Sequence, residues 1–245
     1  MHKVLLLAML CLPLVAPAQE LTLVAAADPY PPYVDSHVPG EGLAMEIVRA
    51  AYKTQGYTVK LKIMPWMRAE KGVLEGRYDI LVSVWRTDAR AKEMLFSTPY
   101  AVSKIKFIKR KDNPFEYTGL ESLNGKRVGV IRGYGYNDAF NAATAFTREE
   151  VPTMENNINK LLLKRIDLTL EDEMTAKLLI RTMGPEVEAQ LDFTSNALAN
   201  NPLHVAASLK HPRNKDIIDA FNRGLLAIKA DGSFLAIAKR HGLVK

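Results

Sequence analysis

The chain has 245 residues, 48% of them hydrophobic, a formal net charge of +6 and a single cysteine. That length suffices for one large domain or two lobes of ordinary size, and so modest a charge does not call for a nucleic-acid partner. The cysteine, Cys11, falls in an N-terminal segment expected to be removed, which excludes a disulfide, a zinc-thiolate site and a thiol nucleophile from the mature protein.

In that segment Lys3 precedes an apolar run over residues 4–15, and Ala16-Pro17-Ala18 supplies the small residues that a signal peptidase reads. The run is shorter than the roughly 20 apolar residues a membrane helix needs. Residues 1–18 are therefore expected to be a cleaved signal peptide, and the mature chain to be exported. Losing Lys3 lowers the formal charge by one, to +5. The densest basic run, Lys104, Lys106, Lys109, Arg110 and Lys111, alternates with apolar residues as a strand with a solvated face does, so no nucleic-acid function is expected from it.

Residues 21–26 read as a buried strand ending at the turn-rich Asp28-Pro29-Tyr30-Pro31-Pro32-Tyr33. Leu43, Ile47, Val48 and Ala51 recur at helical spacing, with Gly56 placed to stop the helix. Residues 59–63 alternate as a strand, Pro65 opens a helix to about Leu74, and residues 78–84 form another apolar strand. A second series starts at the Asn124-Gly125 turn. It has a strand at 127–131, the turn Gly133-Tyr134-Gly135 leading into an Ala-rich helix, a helix at 157–163, a strand at 166–170 and a helix at 172–183.

Two extended segments, 99–108 and 200–209, separate the series and read as crossings. The helices at 216–230 and 233–241 are expected to complete the first lobe. The expected fold is thus α/β with two lobes, each a sheet flanked by helices: lobe 1 from 19–101 and 202–245, lobe 2 from 102–201.

Searches for chemistry return little. The five histidines lack metal-ligand spacing, there is no nucleophile elbow or phosphate-loop lysine motif, and Gly133-Tyr134-Gly135 lacks the rest of a dinucleotide fingerprint. No metal, cofactor or catalytic residue is expected. In open α/β sheets ligands gather beyond the strand ends. There Ser83-Val84-Trp85-Arg86-Thr87-Asp88-Ala89-Arg90 offers a fixed cation and Glu171-Asp172-Glu173 a fixed anion, the complement of a zwitterion.

Gly76-Arg77-Tyr78-Asp79, then Thr87-Asp88-Ala89-Arg90 and Phe96-Ser97-Thr98-Pro99-Tyr100, carry a resemblance to the periplasmic binding proteins of polar-amino-acid ABC importers. The similarity spans nearly all of the mature chain and implies the two-lobed type II periplasmic-binding-protein fold. It also implies a periplasmic monomer that closes on a small zwitterionic or carboxylate solute and hands it to an inner-membrane ABC permease or a sensor. By position, Arg90 would grip the ligand carboxylate, Asp172 the ammonium, and Tyr30 would pack the ligand. A guanidinium suits the first role because its planar donors take both carboxylate oxygens.

Gly133-Tyr134-Gly135 matches the turn that offers donors from lobe 2. Tyr33, Trp66, Ser83, Trp85 and Thr87 are further candidate ligand contacts, with Tyr134 and Gly135 in that turn. Trp85 and Gly135 stand where relatives usually carry hydroxyl residues. Two placements have a structural alternative: an Asp after a strand is a common helix N-cap, and Arg90 is spaced to pair with Glu93. Cyclohexadienyl dehydratases resemble the same family, and in that second reading Glu171 or Glu173 would be a general acid.

Overall fold

The computed structural model describes residues 21–242, so the expected signal peptide lies outside the described residues. The chain runs β1 (Leu21–Ala27), α1 (Leu43–Lys53), β2 (Tyr57–Ile63), α2 (Trp66–Leu74), β3 (Ile80–Trp85), the one-turn α3 (Asp88–Ala91) and β4 (Met94–Phe96). The long β5 (Ala101–Arg110) leads to β6 (Arg127–Ile131), α4 (Asp138–Ala142), β7 (Thr147–Val151), α5 (Met154–Leu162), β8 (Leu168–Asp172), α6 (Glu173–Met183) and α7 (Pro185–Gln190). Then β9 (Leu191–Ser208) returns, and α8 (Asn214–Ala230) and α9 (Ser233–Arg240) follow.

The strand order is β2-β1-β3-β9-β5-β8-β6-β7, with β4 beside β9. β1 pairs in parallel with β2 and β3, and β6 with β7 and β8, whereas β5 and β9 run antiparallel to each other and to the flanking strands. Two parallel sets are thus joined by two long strands, the arrangement of a two-lobed type II binding-protein fold with a double crossing.

Each set buries its own helical stripe. In the first, Leu43, Ile47, Val48 and Ala51 of α1 are fully enclosed, and α8 crosses α1 so closely that a Cβ on Gly224 would lie 2.0 Å from the Ala51 carbonyl oxygen. In the second, Ile158 and Leu161 of α5 pack with Ile166 and Ile180. Burying each such side chain contributes roughly 1.5–3 kcal/mol.

Three elements depart from expectation. The Ala-rich helix after the 133–135 turn is only the five-residue α4, because the chain turns back at Ala143 to stack Phe146 on Phe140, 5.0 Å between ring centroids. β7, with sequence TREEV, is an edge strand where no element is expected from the sequence. The second crossing is part of an 18-residue strand, β9, far longer than residues 200–209.

Candidate functional site

Arg90 is set by its own motif. Thr87 caps α3, its Oγ1 accepting the Arg90 N–H at 3.2 Å, so the threonine three residues earlier fixes the helical turn that carries the arginine. The guanidinium is almost wholly buried, and three groups hold it. Nε donates to Glu70 Oε1 at 2.7 Å, Nη1 to the Trp85 carbonyl at 2.9 Å and Nη2 to the Gly133 carbonyl at 2.9 Å. Its carbon also lies 4.6 Å from the ring centroid of Trp66, within cation–π range. Glu70 and Trp85 belong to the first strand set and Gly133 to the second, so this one side chain bridges the cleft.

A second bridge lies alongside. The Tyr134 hydroxyl donates to Asp28 Oδ2 at 2.6 Å, and its ring stands edge-on to Trp66 and Trp85, with centroids 6.2 and 5.4 Å away. Burial pushes the Asp28 carboxyl up to about 6, against the lowering pull of the Tyr134 hydrogen bond, its own backbone N–H and the Arg90 charge. Burial, Asp28 and Glu171 push the Tyr134 hydroxyl the same way, so it stays a protonated donor.

Ser83 shapes the floor. It sits at φ +60° where the β3–β9 register shifts between Leu81 and Val84, and its N–H donates to the Tyr100 hydroxyl at 3.1 Å. Such a bulge turns the following side chains out of the regular alternation, and a serine in the left-handed region is a local strain of the kind found at functional sites.

These residues surround one cavity of about 20 Å³, room for little more than a water molecule. Arg90, Tyr30, Trp66, Ser83, Trp85, Tyr134 and Gly135 of the expected set line it. The indole N–H groups of Trp66 and Trp85 are buried and find no hydrogen-bond partner among the described residues. Unpaired buried donors are uncommon, and both belong to residues that line this cavity.

Three expected residues stand outside the lining. Thr87 acts through α3. Asp172 is buried as the N-cap of α6: Oδ1 accepts from the N–H groups of Met174 and Thr175 at 3.0 Å, and Oδ2 from the Lys104 N–H at 2.9 Å and the Ser103 hydroxyl at 3.0 Å. Its carboxylate therefore ties α6 to the crossing strand β5. Tyr33 stacks on Tyr30 at 5.1 Å and points its hydroxyl toward Asp172 and the Val102 carbonyl, each 3.4 Å away.

The 133–135 turn also differs from expectation. It presents an acceptor, the Gly133 carbonyl, while the Tyr134 N–H is spent on Ile131.

Two site residues escaped the sequence reading. Asp28 follows β1, so the strand-end rule applied to it as it did to residues 83–90. Glu70 lies four residues after Trp66 on α2, hence on the same helix face as an aromatic already singled out.

Residues 22–244 match the profile of bacterial extracellular solute-binding proteins, family 3. The chain is 26% identical over 225 residues to the L-cystine-binding protein of Escherichia coli (strain K12), covering 89% of this chain and 81% of that protein. It is 26% identical over 230 residues to the arginine-binding periplasmic protein of Mannheimia haemolytica, covering 91% and 92%. Among solved structures, an ancestral arginine-binding protein bound to arginine shares the fold at a TM-score of 0.74, with 21% identity and coverage of 89% and 97%. A histidine kinase sensor domain with similarity to periplasmic binding proteins does so at 0.78, with 21% identity and coverage of 91% and 95%.

Proposed function

Because the chain belongs to family 3 of the bacterial extracellular solute-binding proteins, we propose that it captures a small amino-acid-type solute in the cleft around Arg90, closes on it, and delivers it to an ABC permease. The observation that carries this reading is the Arg90 guanidinium. It is anchored on one side by Glu70 and Trp85 and meets the opposite side of the cleft through Gly133. A solute oxygen taking the place of the Gly133 carbonyl gains a charge-assisted bond from a donor already oriented, so little ordering entropy is lost on binding.

Trp66, Trp85 and Tyr30 supply apolar walls, and the two unpartnered indole N–H groups add donors for an anionic group. Asp28, the carboxylate that lines the cavity, is the acceptor for a solute N–H in place of Asp172. Relatives named for binding cystine, arginine and histidine support an amino-acid ligand. Periplasmic relatives support export through residues 1–18.

Binding without turnover is also the reading that the acids support. Glu173 faces Lys104, Lys106 and Lys177. Glu171 is buried, accepts the Asp172 N–H at 2.7 Å and is driven toward its protonated form by burial. Neither lines the cavity. A ligand that binds only the folded protein raises its melting temperature, so a thermal-shift screen of the common amino acids tests the proposal. At least one is expected to raise the midpoint by several degrees; no shift with any of them, at millimolar concentration, would contradict it.

A further inference from the structure

In the closed cleft the solute's seat is taken. Tyr134 fills the space between the two indoles, its hydroxyl meets Asp28, and the Gly133 carbonyl meets Arg90. The remaining cavity is too small for any amino acid. We propose that the 133–135 turn is a built-in pseudo-ligand, and that the solute displacing it is a molecule with an aromatic ring, an oxygen acceptor at one end and an N–H or O–H donor at the other.

The ligand class follows from what the turn imitates. The Gly133 carbonyl is the acyl oxygen on the Tyr134 nitrogen, so one N-acyl-tyrosine unit spans from an acceptor at Arg90 to a donor at Asp28, and in a free amino acid the carboxylate, one bond nearer the ring, supplies that acceptor. Its ring runs edge-on past both tryptophans, the arrangement their quadrupoles favour. Arg90 is already balanced by Glu70, which leaves Asp28 as the uncompensated charge and makes the donor end the more demanding one.

The imitation is incomplete in one respect. Neither indole N–H is paired, and a free solute whose carboxylate brings further oxygens can satisfy them where the turn does not. That surplus is what lets a dissolved molecule compete with a tethered one present at high effective concentration. The same competition means that deleting the Tyr134 side chain strengthens binding, because a larger fraction of the protein is then competent to receive the solute.

The proposal rests on reading this cleft as the solute site, and the test separates the two. Wild type, Tyr134→Ala and Tyr134→Phe are titrated calorimetrically with L-tyrosine, L-phenylalanine, L-arginine and L-glutamate, and their radii of gyration in buffer are compared by small-angle scattering. Tyr134→Ala is expected to be more expanded than wild type and to bind L-tyrosine about tenfold or more tightly, since the closed, occupied population is lost. L-phenylalanine, which has no donor for Asp28, is expected to bind more weakly than L-tyrosine. Tyr134→Phe keeps the ring but not the Asp28 bond and is expected to fall between the two proteins. Unchanged or weaker L-tyrosine binding by both variants overturns the pseudo-ligand. A preference for L-arginine or L-glutamate over both aromatic amino acids overturns the ligand class while the cleft stands as a solute site. If none of the four binds any of the proteins, the ligand class is overturned, and the solute-site reading falls only if the thermal-shift screen of the common amino acids is also blank.

Discussion

Asp28 and Arg90 line the same cavity, and the fold treats them differently. Arg90 is compensated by Glu70 and two carbonyls, whereas Asp28 has the Tyr134 hydroxyl and the more distant Arg90 charge, with buried Glu171 on the far side. Its pKa rises from an ordinary 3.8 to about 6. A carboxyl raised in the folded state contributes its stability below the unfolded value and loses it as pH climbs through the folded one. Over the window from about pH 4 to 6 its ionisation therefore costs roughly 3 kcal/mol.

Asp28→Asn is neutral throughout, so its stability relative to wild type is expected to be near zero at pH 4 and to grow to about 3 kcal/mol by pH 7, read by urea unfolding at several pH values. Parallel pH profiles for the two proteins would show that Asp28 titrates normally. Arg90 was legible in the sequence because a spaced motif surrounds it. Asp28 was not, because it opens a Pro-rich turn that reads as a plain connection and its partner, Tyr134, is 106 positions away.

The 133–135 turn shows what elements demand beyond their residues. A Cβ on Gly135 would stand 2.7 Å from Thr87 Cγ2 and 3.0 Å from Arg90 Nη1, and one on Gly133, at φ +78°, 2.1 Å from Met67 Sδ. Those neighbours all belong to the opposite side of the cleft, so the glycines permit close approach and are not needed for the turn to donate hydrogen bonds. Gly135→Ala strains only the closed form. Because the strained form is the one in which the turn occupies the solute's seat, the substitution is expected to strengthen solute binding, by at most the roughly five- to a hundredfold that about 1–3 kcal/mol of overpacking allows. Affinity equal to wild type would mean that the turn does not seat this closely in solution.

Helical spacing revealed α1 and α8, since each buries a continuous apolar stripe, and Pro65 marked the start of α2. α3 and β4 were hidden because one turn and three residues are too short to show a period. β7 was hidden because its residues are mostly charged, and residues 191–199 of β9 because exposed Ser195 and Asn196 interrupt the apolar pattern that a buried strand would show.

At the scale of the molecule, β5 and β9 are the long connections between the strand sets, and the cleft lies where Arg90 on one side reaches Gly133 on the other. In the function proposed above, closure over Arg90 couples a solute's charge to the relative position of the two strand sets, a signal that an ABC permease or a receptor can read. The double crossing was readable in the sequence as two extended segments between two α/β series. The closed contacts across the cleft were not, because no local pattern records which turns meet in space.

The most direct measurement is titration calorimetry of wild type and the double variant Arg90→Met/Glu70→Gln with whichever amino acid gives the largest thermal shift. The pair is replaced together because removing Arg90 alone would leave a buried Glu70 carboxylate unpaired, at a cost of roughly 3–5 kcal/mol. Capture through Arg90 predicts measurable binding to wild type and none to a double variant whose circular dichroism and melting curve show it folded. Binding by the folded double variant within about twofold of wild type, less than 0.5 kcal/mol, would contradict the assignment of Arg90 as the solute's anchor.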